Sequence, residues 1–212
     1  MLKLVSVLAA GLVGMGGWAV VTIQELPEYF AAGRPYTIEF KVRQHGRNLL
    51  NNLEPELIVR SGSNEQRIAA KATNAQGTYA ATFTAPPAGP VTLTIKSGFM
   101  ASNLQLYPAP VIAAGARAPS IAPADRGRAL FIAKGCNSCH TNSDLVDRPD
   151  NQQIKVGPEL GGGGRRLTRD YVMQKMAKPN SEIMPDLGLS DAEISALATF
   201  LTPSATTATG GR

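Results

Sequence analysis

The sequence predicts two domains of different class, an amino-terminal all-β sandwich and a carboxy-terminal all-α domain, preceded by a short membrane or signal segment. Hydrophobic residues recur with period two over residues 18–107 and with helical period over residues 124–203. A stretch rich in Pro and Ala, residues 108–123, separates the two patterns. The chain has 212 residues, of which 43% are hydrophobic and 17% charged, which is too apolar for intrinsic disorder and sufficient for two packed cores.

The charge distribution argues against a nucleic-acid partner. The formal net charge is +5, but the segment 18–108 contributes only +2 and the segment 125–202 is neutral. No basic face is concentrated in either half, and aromatic residues make up 6% of the chain, so platforms for stacking bases are scarce. Two cysteines and two histidines also exclude a disulfide-dense scaffold, a four-cysteine zinc site and most centres with several histidine ligands.

The amino-terminal residues carry a membrane-targeting pattern, in which Lys3 is followed by the uncharged run 4–23. A signal peptide would use the first part of this run, whereas an uncleaved anchor would use all of it, since about 20 apolar residues span the hydrocarbon core. The alternation over 18–23 indicates a first strand, so residues 1–17 are predicted to be the signal peptide or membrane anchor. Either interpretation places the rest of the chain on the periplasmic side of the bacterial inner membrane, anchored or secreted.

Residues 18–107 alternate between apolar and polar side chains, as strands with one buried face require. Gly, Pro and Asn residues separate the alternating segments and predict turns. Seven segments show the pattern, in full or in part: 18–23, 36–43, 57–59, 68–70, 79–83, 91–95 and 104–106. Short strands at this spacing predict an immunoglobulin-like sandwich, and the resemblance is to the architecture alone because the Cys…Trp…Cys pattern is absent.

The tripeptide Gln44-His45-Gly46, which follows a predicted strand, resembles the periplasmic FixH/YtkA-like domains. Copper binding is associated with some domains of this kind, so the resemblance makes His45 and Met100 candidate ligands. Copper(I) requires several converging imidazole or sulfur ligands, and this half of the chain offers only these two. We therefore interpret His45 as a loop residue and Met100 as a core residue.

Residues 108–123 are predicted to form a semi-extended linker, because four prolines stand among Ala and Gly with a single charge. Such a linker would let the carboxy-terminal half reach separate donor and acceptor proteins. Residues 204–212, after the last predicted helix, are predicted to be a flexible tail.

The carboxy-terminal half contains the sequence Cys136-Asn137-Ser138-Cys139-His140, which has the Cys-x-x-Cys-His spacing of covalent haem attachment. Two thiols three residues apart on one helical turn reach the two vinyl groups of a porphyrin, and the next residue places its imidazole at the iron. A zinc half-site or a thioredoxin-like redox pair are the alternatives. Zinc would need two further ligands nearby, and a redox pair would need no histidine and usually sits in a βαβ unit.

The segment from about Asp125 to Leu201 resembles a class I cytochrome c domain across its whole length. The resemblance implies one haem c, attached through Cys136 and Cys139, with His140 as the proximal ligand. It also implies that Gly127 and Phe131 of the first helix pack against Leu197 and Phe200 of the last helix. The absence of a side chain at Gly127 would permit a close crossing of the two helices.

The segment Gly157-Pro158-Glu159-Leu160 resembles the Gly-Pro-x-Leu segment of the same family. The family resemblance gives the carbonyl of Pro158 the role of accepting the N–H of the proximal imidazole. This bond fixes the tautomer of the imidazole and raises its basicity.

Met184-Pro185 resembles the distal-ligand segment of the family, so the resemblance implies that the metal ligands are His140 and Met184. Met173 and Met176 are rivals, but they lie in a predicted helix that Thr168 caps, where methionines usually fill the core. Met184 is predicted to lie in a loop. Ligation by His and Met favours ferrous iron and raises the reduction potential.

The last helix carries a start signal and an end signal. Ser190 and Glu193 form a predicted capping box, and Pro203 follows the helix. Elsewhere in this half, Arg165, Arg166 and Tyr171 could reach haem propionates, although solvated surface residues explain them equally well. The run of glycines at 161–164 lacks the Lys-Ser/Thr and the preceding strand of a phosphate-binding loop, and is interpreted as a loop at the haem edge.

These observations predict a non-enzymatic electron carrier or electron-transfer subunit, docked to or part of a respiratory or photosynthetic membrane complex. Haem iron with two axial ligands has no open position for a substrate, so its chemistry is restricted to one-electron transfer. A haem enzyme or gas sensor with a displaceable Met184 is one alternative, although no acid–base pair accompanies the site. An interaction subunit whose β domain does the essential binding is the other.

Overall fold

The computed structural model describes residues 17–145, 147, 149, 151, 153–161, 167–180, 182 and 184–203. Their secondary structure changes from strands to helices between residues 112 and 123, as predicted. The strands are β1 (Ala19–Ile23), β2 (Phe30–Ala31), β3 (Pro35–Gln44), β4 (Asn48–Leu49), β5 (Glu56–Ser61), β6 (Asn64–Ala69), β7 (Lys71–Ala72), β8 (Thr78–Thr84), β9 (Thr92–Lys96), β10 (Asn103–Gln105) and β11 (Val111–Ile112). The helices are α1 (Pro123–Ala133), α2 (Cys136–Cys139), α3 (Arg169–Ala177) and α4 (Asp191–Leu201).

The first sheet has the antiparallel order β1-β3-β8-β7, with β4 on one end of β3. The central strand β3 buries Ile38, Phe40 and Val42 and exposes Thr37 and Glu39, which is the alternation that the sequence predicts. The period is two because successive side chains of a strand point to opposite faces of the sheet.

The second sheet has the antiparallel order β10-β9-β5-β6, and its buried residues share one core with those of the first sheet. Each of the seven predicted strand segments overlaps a strand of one of the two sheets, so the strand positions are confirmed. The immunoglobulin-like class of the sandwich stays a prediction.

Strand pairing continues into the predicted linker. Val91 and Ala109 exchange two backbone hydrogen bonds of 2.8 and 2.9 Å, and β11 pairs in parallel with β2. The prolines in this segment lack N–H groups, but the carbonyl of Pro110 still accepts a hydrogen bond of 2.9 Å from Phe30. The amino-terminal half therefore extends to residue 112 in the structure, beyond the predicted boundary at residue 107.

In the helical half, α1 and α4 cross at Gly127. A Cβ built on Gly127 would lie 2.1 Å from the carbonyl oxygen of Ala196 and 2.6 Å from Cβ of Phe200. The rings of Phe131 and Phe200 pack with centroids 5.7 Å apart. The predicted close crossing of the first and last helices is confirmed.

Side-chain caps fix where two of the helices begin. The hydroxyl of Ser190 accepts from the N–H of Glu193, and the Glu193 carboxylate accepts from the N–H of Ser190, so the predicted capping box of α4 is present. Thr168 caps α3 by accepting from the N–H of Tyr171. Each side chain satisfies an N–H group that the first turn of a helix leaves unpaired.

Strand β1 is buried on both faces, and this burial places the helical half against the β half. Ala19, Val21 and Ile23 face the β core, whereas Val20 and Thr22 face the turn after α1. A Cβ on Gly135 of that turn would lie 2.4 Å from Cγ1 of Val20. The close approach excludes any side chain at this position, and the left-handed φ of 73° also favours glycine.

Lys134 is a buried polar link between the halves, with 2% of the residue exposed. Its Nζ donates to the carbonyl oxygen of Gln24 at 2.7 Å and pairs with the carboxylate of Glu193 at 2.8 Å. One ammonium group therefore joins the end of α1, the start of α4 and the loop after β1.

Two further polar contacts cross the interface. The side-chain amide of Asn151 forms hydrogen bonds of 2.6 and 2.9 Å with the backbone N–H and carbonyl of Gln105, pairing with the free edge of β10. Arg126 donates to the carbonyl of Leu26 at 2.7 Å and lies 3.6 Å from Glu28. The halves pack directly against each other in this structure, and the expectation that the linker lets the helical half reach separate partners stays a prediction. The contact could not be predicted, because a composition rich in Pro and Ala does not report that the second face of β1 is buried against the helical half.

Among the described residues, no helix has the length and apolar character needed to cross a bilayer. Residues 1–16 of the predicted signal or anchor segment, and the predicted tail 204–212, lie outside the described residues.

We expect Gly127→Ala to lower the free energy of unfolding of the haem-loaded protein by about 2 kcal/mol, because the new methyl group meets backbone atoms of α4 that cannot rotate away. Chemical denaturation followed by circular dichroism measures the change. Arg128→Ala, at the exposed neighbouring position on α1, is the control and should stay within about 0.5 kcal/mol of the wild type. Equal stability of the two variants would contradict the close crossing.

We expect Lys134→Met to destabilise the protein by about 3 kcal/mol, since it removes one partner of a buried ion pair and leaves Glu193 without its cation. Lys155→Met, at an exposed lysine of the same half, is the matched control. Urea unfolding, followed both by haem absorbance and by the β signal in circular dichroism, is the measurement. If the two variants unfolded alike, Lys134 would not be the link described above.

Candidate haem site

The two cysteines and the histidine lie on one short turn. Gly135 precedes α2 in a left-handed conformation, and α2 is a single turn whose closing bond runs from the N–H of His140 to the carbonyl of Cys136 at 2.9 Å. His140 itself has extended backbone angles, so the chain leaves the helix at this residue. Cys136 and Cys139 are both free thiols.

Both thiols are held in the neutral form. Burial, and then the neighbouring Cys139, raise the pKa of Cys136 to about 12, and burial also raises the pKa of Cys139. Catalytic redox pairs use a thiolate whose pKa is lowered, which is the opposite of the effect of burial here. The described residues also hold no group of three or more His, Cys, Asp or Glu side chains suited to a metal ion. The geometry therefore gives no support to the zinc and redox alternatives.

The imidazole of His140 is oriented by the backbone of Pro158. Its Nδ1 lies 2.9 Å from the carbonyl oxygen of Pro158. Because a carbonyl only accepts, Nδ1 carries the proton and the lone pair is at Nε2, which is the tautomer that binds a metal through Nε2. Burial lowers the pKa of His140, and the bond to Pro158 opposes this effect. The net result favours the neutral ring.

Gly157 brings the Pro158 segment against the imidazole. A Cβ on Gly157 would lie 2.4 Å from Cε1 and 2.5 Å from Nδ1 of His140, so no side chain fits there. Its N–H donates to the carbonyl of Cys139 at 2.8 Å. This role of Gly157 could not be predicted from the sequence, because a glycine before a proline has no local pattern that reports contact with a distant ring.

Glu159 is a second residue whose role the sequence analysis missed. Its carboxylate accepts from the N–H of Ser143 at 2.6 Å and from the N–H of Gly161 at 3.1 Å. Burial alone would raise the pKa of Glu159, but these bonds and those from the hydroxyls of Thr141 and Ser143 lower it below its usual value. The ionised carboxylate therefore ties the segment after His140 to the segment after Pro158.

Met184 lies in the loop between α3 and α4, as predicted, and its N–H donates to the carbonyl of Asn180 at 2.7 Å. Its side chain lines the same two cavities as Cys136, His140 and Pro158. Met176 lines only the larger of these cavities, and Met173 is not among the residues that line either of them.

The larger cavity, of about 310 Å³, has mostly apolar walls contributed by all the longer helices. Its apolar lining consists of Phe131, Leu160, Leu167, Val172, Leu197 and Leu201. Tyr171 also lines it, whereas Arg165, Arg166 and the glycines 162–164 lie outside the described residues. The Cys136 thiol, the His140 imidazole and the Met184 thioether lie on the walls of this apolar cleft, and the Cys139 thiol lines the smaller cavity beside them. Together they have the donor set and polarity that haem c requires. The residues fit the group.

The smaller cavity, of about 110 Å³, has one wall from the β half. Val20 of β1 lines it together with Cys139, Gly135 and Met184. Nothing in the sequence around Val20 distinguishes it from the other apolar residues of a strand, so its position at this site could not be predicted.

The two candidate copper ligands of the β half are not core residues. Met100 is 70% exposed in the turn between β9 and β10, so its interpretation as a core residue was wrong. Phe99, its neighbour, packs against the core instead. His45 is an exposed turn residue, as interpreted, and its ring lies 5.7 Å from that of Trp18.

We expect Glu159→Gln to lower stability near neutral pH by no more than about 1 kcal/mol, because solvent screens this largely exposed carboxylate. Glutamine keeps an acceptor oxygen but loses the charge. Since the folded pKa is depressed, the stabilisation is present above the unfolded pKa and is lost as the pH falls through the folded pKa. Thermal unfolding of both proteins from pH 7 to pH 3 should therefore show a difference that disappears in acid. A difference independent of pH would contradict the role of the charge.

Comparison with known proteins identifies the helical half. Residues 122–201 match the family model of the cytochrome c oxidase, cbb3-type, subunit III, which is a c-type cytochrome domain and takes in less than half of the chain. No curated protein matches the chain.

Solved structures with similar parts are distant. The superoxide reductase (neelaredoxin) from Ignicoccus hospitalis has 17% identity and a TM-score of 0.30, over 44% of this chain and 80% of its own. Domains 1–6 of the surface layer protein SbsC have 21% identity and a TM-score of 0.32, over 46% of this chain and 13% of theirs. The Lin-41 filamin domain has 15% identity and a TM-score of 0.33, over 43% of this chain and 91% of its own. TM-scores of this size do not establish a shared fold.

The family match covers the turn with the two cysteines, the Pro158 segment and the Met184 loop. This family implies covalently bound haem c and an electron-carrier role. Residues 122–201 of the chain therefore match a family of c-type cytochrome domains.

Proposed function

We propose that the chain is a single-haem electron-transfer protein. One haem c would be attached through Cys136 and Cys139, with His140 and Met184 as the axial ligands. The observation that carries the proposal is the apolar cleft on whose walls a neutral imidazole and a thioether are brought together beside two neutral thiols.

Bound haem supplies one-electron chemistry, and the chain's own residues set the conditions for it. The carbonyl of Pro158 orients the imidazole of His140 and increases its basicity through their 2.9 Å hydrogen bond. The apolar walls exclude water. If His140 and Met184 held the iron as proposed, no coordination position would be left for a substrate, which supports an electron carrier and not an enzyme.

The proposed setting is the periplasmic side of the bacterial inner membrane, with residues 1–17 as signal peptide or anchor. The family that matches residues 122–201 is described as an oxidase subunit, and this supports a redox protein or a membrane electron-transport complex as the partner. A respiratory setting is thus favoured over a photosynthetic one.

A haem enzyme or gas sensor is the second candidate, and one observation favours it. Met184 is only half-buried in its loop, and Met176 lines the same cavity, so an exchangeable distal ligand is a coherent alternative. The third candidate, an interaction subunit, is supported by the extensive contact between the halves, because a β domain that served only as a spacer would not need it.

We expect Met184→Leu to abolish the weak near-infrared sulfur-to-iron absorption of the ferric protein and to lower the reduction potential by roughly 0.1 V or more, because axial ligands dominate haem potentials. Met176→Leu, a substitution of equal size at a methionine of the same cavity, is the matched control and should retain the band.

Loss of the band in Met176→Leu alone would transfer the ligand role to that residue. A high-spin ferric spectrum of the wild type, or rapid carbon monoxide binding to its reduced form, would support the enzyme or sensor instead. Membrane fractionation tests the location, since recovery entirely in the soluble periplasmic fraction would contradict an anchor.

A further inference from the structure

The loop that carries Met184 has one side against the helical half and one side against the β half. Within its own half, the N–H of Met184 donates to Asn180, and the carboxylate of Asp186 accepts from the N–H of Gly188 at 2.9 Å. Both bonds are local to the loop between α3 and α4. On its other side, the loop approaches the β half.

Apolar contacts from the β half converge on Pro185. A Cβ built on Gly46 would lie 3.7 Å from Cγ2 of Val20, 3.9 Å from Cγ of Pro185 and 4.0 Å from Cη2 of Trp18. The turn between β3 and β4 therefore lies close to all three side chains, and Pro185 is the one that the helical half contributes. Val20 also lines the smaller cavity together with Met184.

A buried cation lies at the same place. Arg43, near the end of β3, is only 7% exposed and donates to the hydroxyl of Thr22 at 3.2 Å. Burial lowers its pKa, and the negative charge of Asp186 opposes that effect. A buried guanidinium is costly unless a charge or hydrogen bonds compensate it, and Asp186 lies two residues after Met184.

We propose that Trp18, Val20, Arg43 and Gly46 form a clamp that keeps the Met184 loop closed over the haem cleft. Arg43 is a positioning residue in this arrangement, because it acts on the thioether through Asp186 and Pro185. The clamp rests on the proposed function, in which Met184 is the distal ligand. In this arrangement, contacts from the β half keep Met184 in place as a ligand.

The test is the competition between Met184 and added imidazole for the ferric iron of the full-length protein, followed by the near-infrared band. Arg43→Met keeps the aliphatic stem and removes the charge. Asp186→Asn keeps an acceptor for the N–H of Gly188 and also removes a charge. Each variant should bind imidazole about threefold more tightly or better, because each loosens the loop, and the double variant should show little more than either single one.

Two controls separate the clamp from other effects. Arg60→Met makes the same substitution at an exposed arginine of β5, away from the interface, and should bind imidazole as the wild type does. A purely through-space effect of charge would move the two interface variants in opposite directions, since one removes a cation and the other an anion. Both variants moving together supports the clamp.

Wild-type imidazole affinity in Arg43→Met and Asp186→Asn, with the band intact, would overturn the clamp and leave the haem ligation standing. Absence of the band from the wild-type protein would overturn the ligation and the clamp together. If Arg43→Met did not fold, Asp186→Asn would decide alone, because its exposed loop position leaves the β half unchanged.

Discussion

The burial of β1 on both faces is the constraint on which the arrangement of this molecule depends. A strand at the edge of a two-sheet sandwich ordinarily buries one face, and here the other face carries Val20 and Thr22 against the turn Lys134–Gly135. That turn leads directly into Cys136. The position of the cysteine turn is therefore fixed from outside its own domain, and Val20 becomes a wall of the cavity that it helps to form.

The polar groups of the interface explain why the contact has a single geometry. Apolar surfaces alone can slide, whereas the ammonium of Lys134 has two specific acceptors, on Gln24 and on Glu193. A displacement would leave a buried charge without its partners. Breaking a buried ion pair in this way costs more free energy than the intact pair contributes to stability. The carboxylate of Glu193 also belongs to the capping box of α4. The same side chain thus starts the helix that lines the haem cleft and holds that helix to the β half.

The features that could be predicted from the sequence are those that depend on neighbours along the chain or on a family motif. The alternation in β3 follows from the period of a strand, and the Ser190 cap follows from four consecutive residues. The hydrogen bond from His140 to Pro158 is present as the resemblance implied, although the residues are 18 positions apart. The motif supplied that long-range information, since no local rule would have done so.

The features that could not be predicted depend on contacts between the halves. Residues 43 and 44 should alternate in exposure at the end of β3, yet both are buried. The guanidinium of Arg43 lies against Thr22 of β1, and the side-chain amide of Gln44 lies beside Gly17. A composition rich in Pro and Ala predicts an extended linker, but it does not report whether the domains on either side touch. Met100 has the hydrophobicity of a core residue and is exposed because Phe99 takes the inward position in the same turn.

The packing of the halves changes what the amino terminus would do. With a mobile linker, the distance from the membrane to the haem would be set by residues 108–123 and could vary. Because β1 lies against the cysteine turn, that distance is instead set by the few residues between the proposed segment 1–17 and Val20. Three residues of extended chain span at most about 11 Å. If the proposed segment is an anchor and not a cleaved signal peptide, a haem bound beside Val20 would be held near the surface of the bilayer, within reach of a membrane-embedded partner. In that case the β half would fix the haem at a set height above the membrane, which is the opposite of the variable reach that a mobile linker would allow.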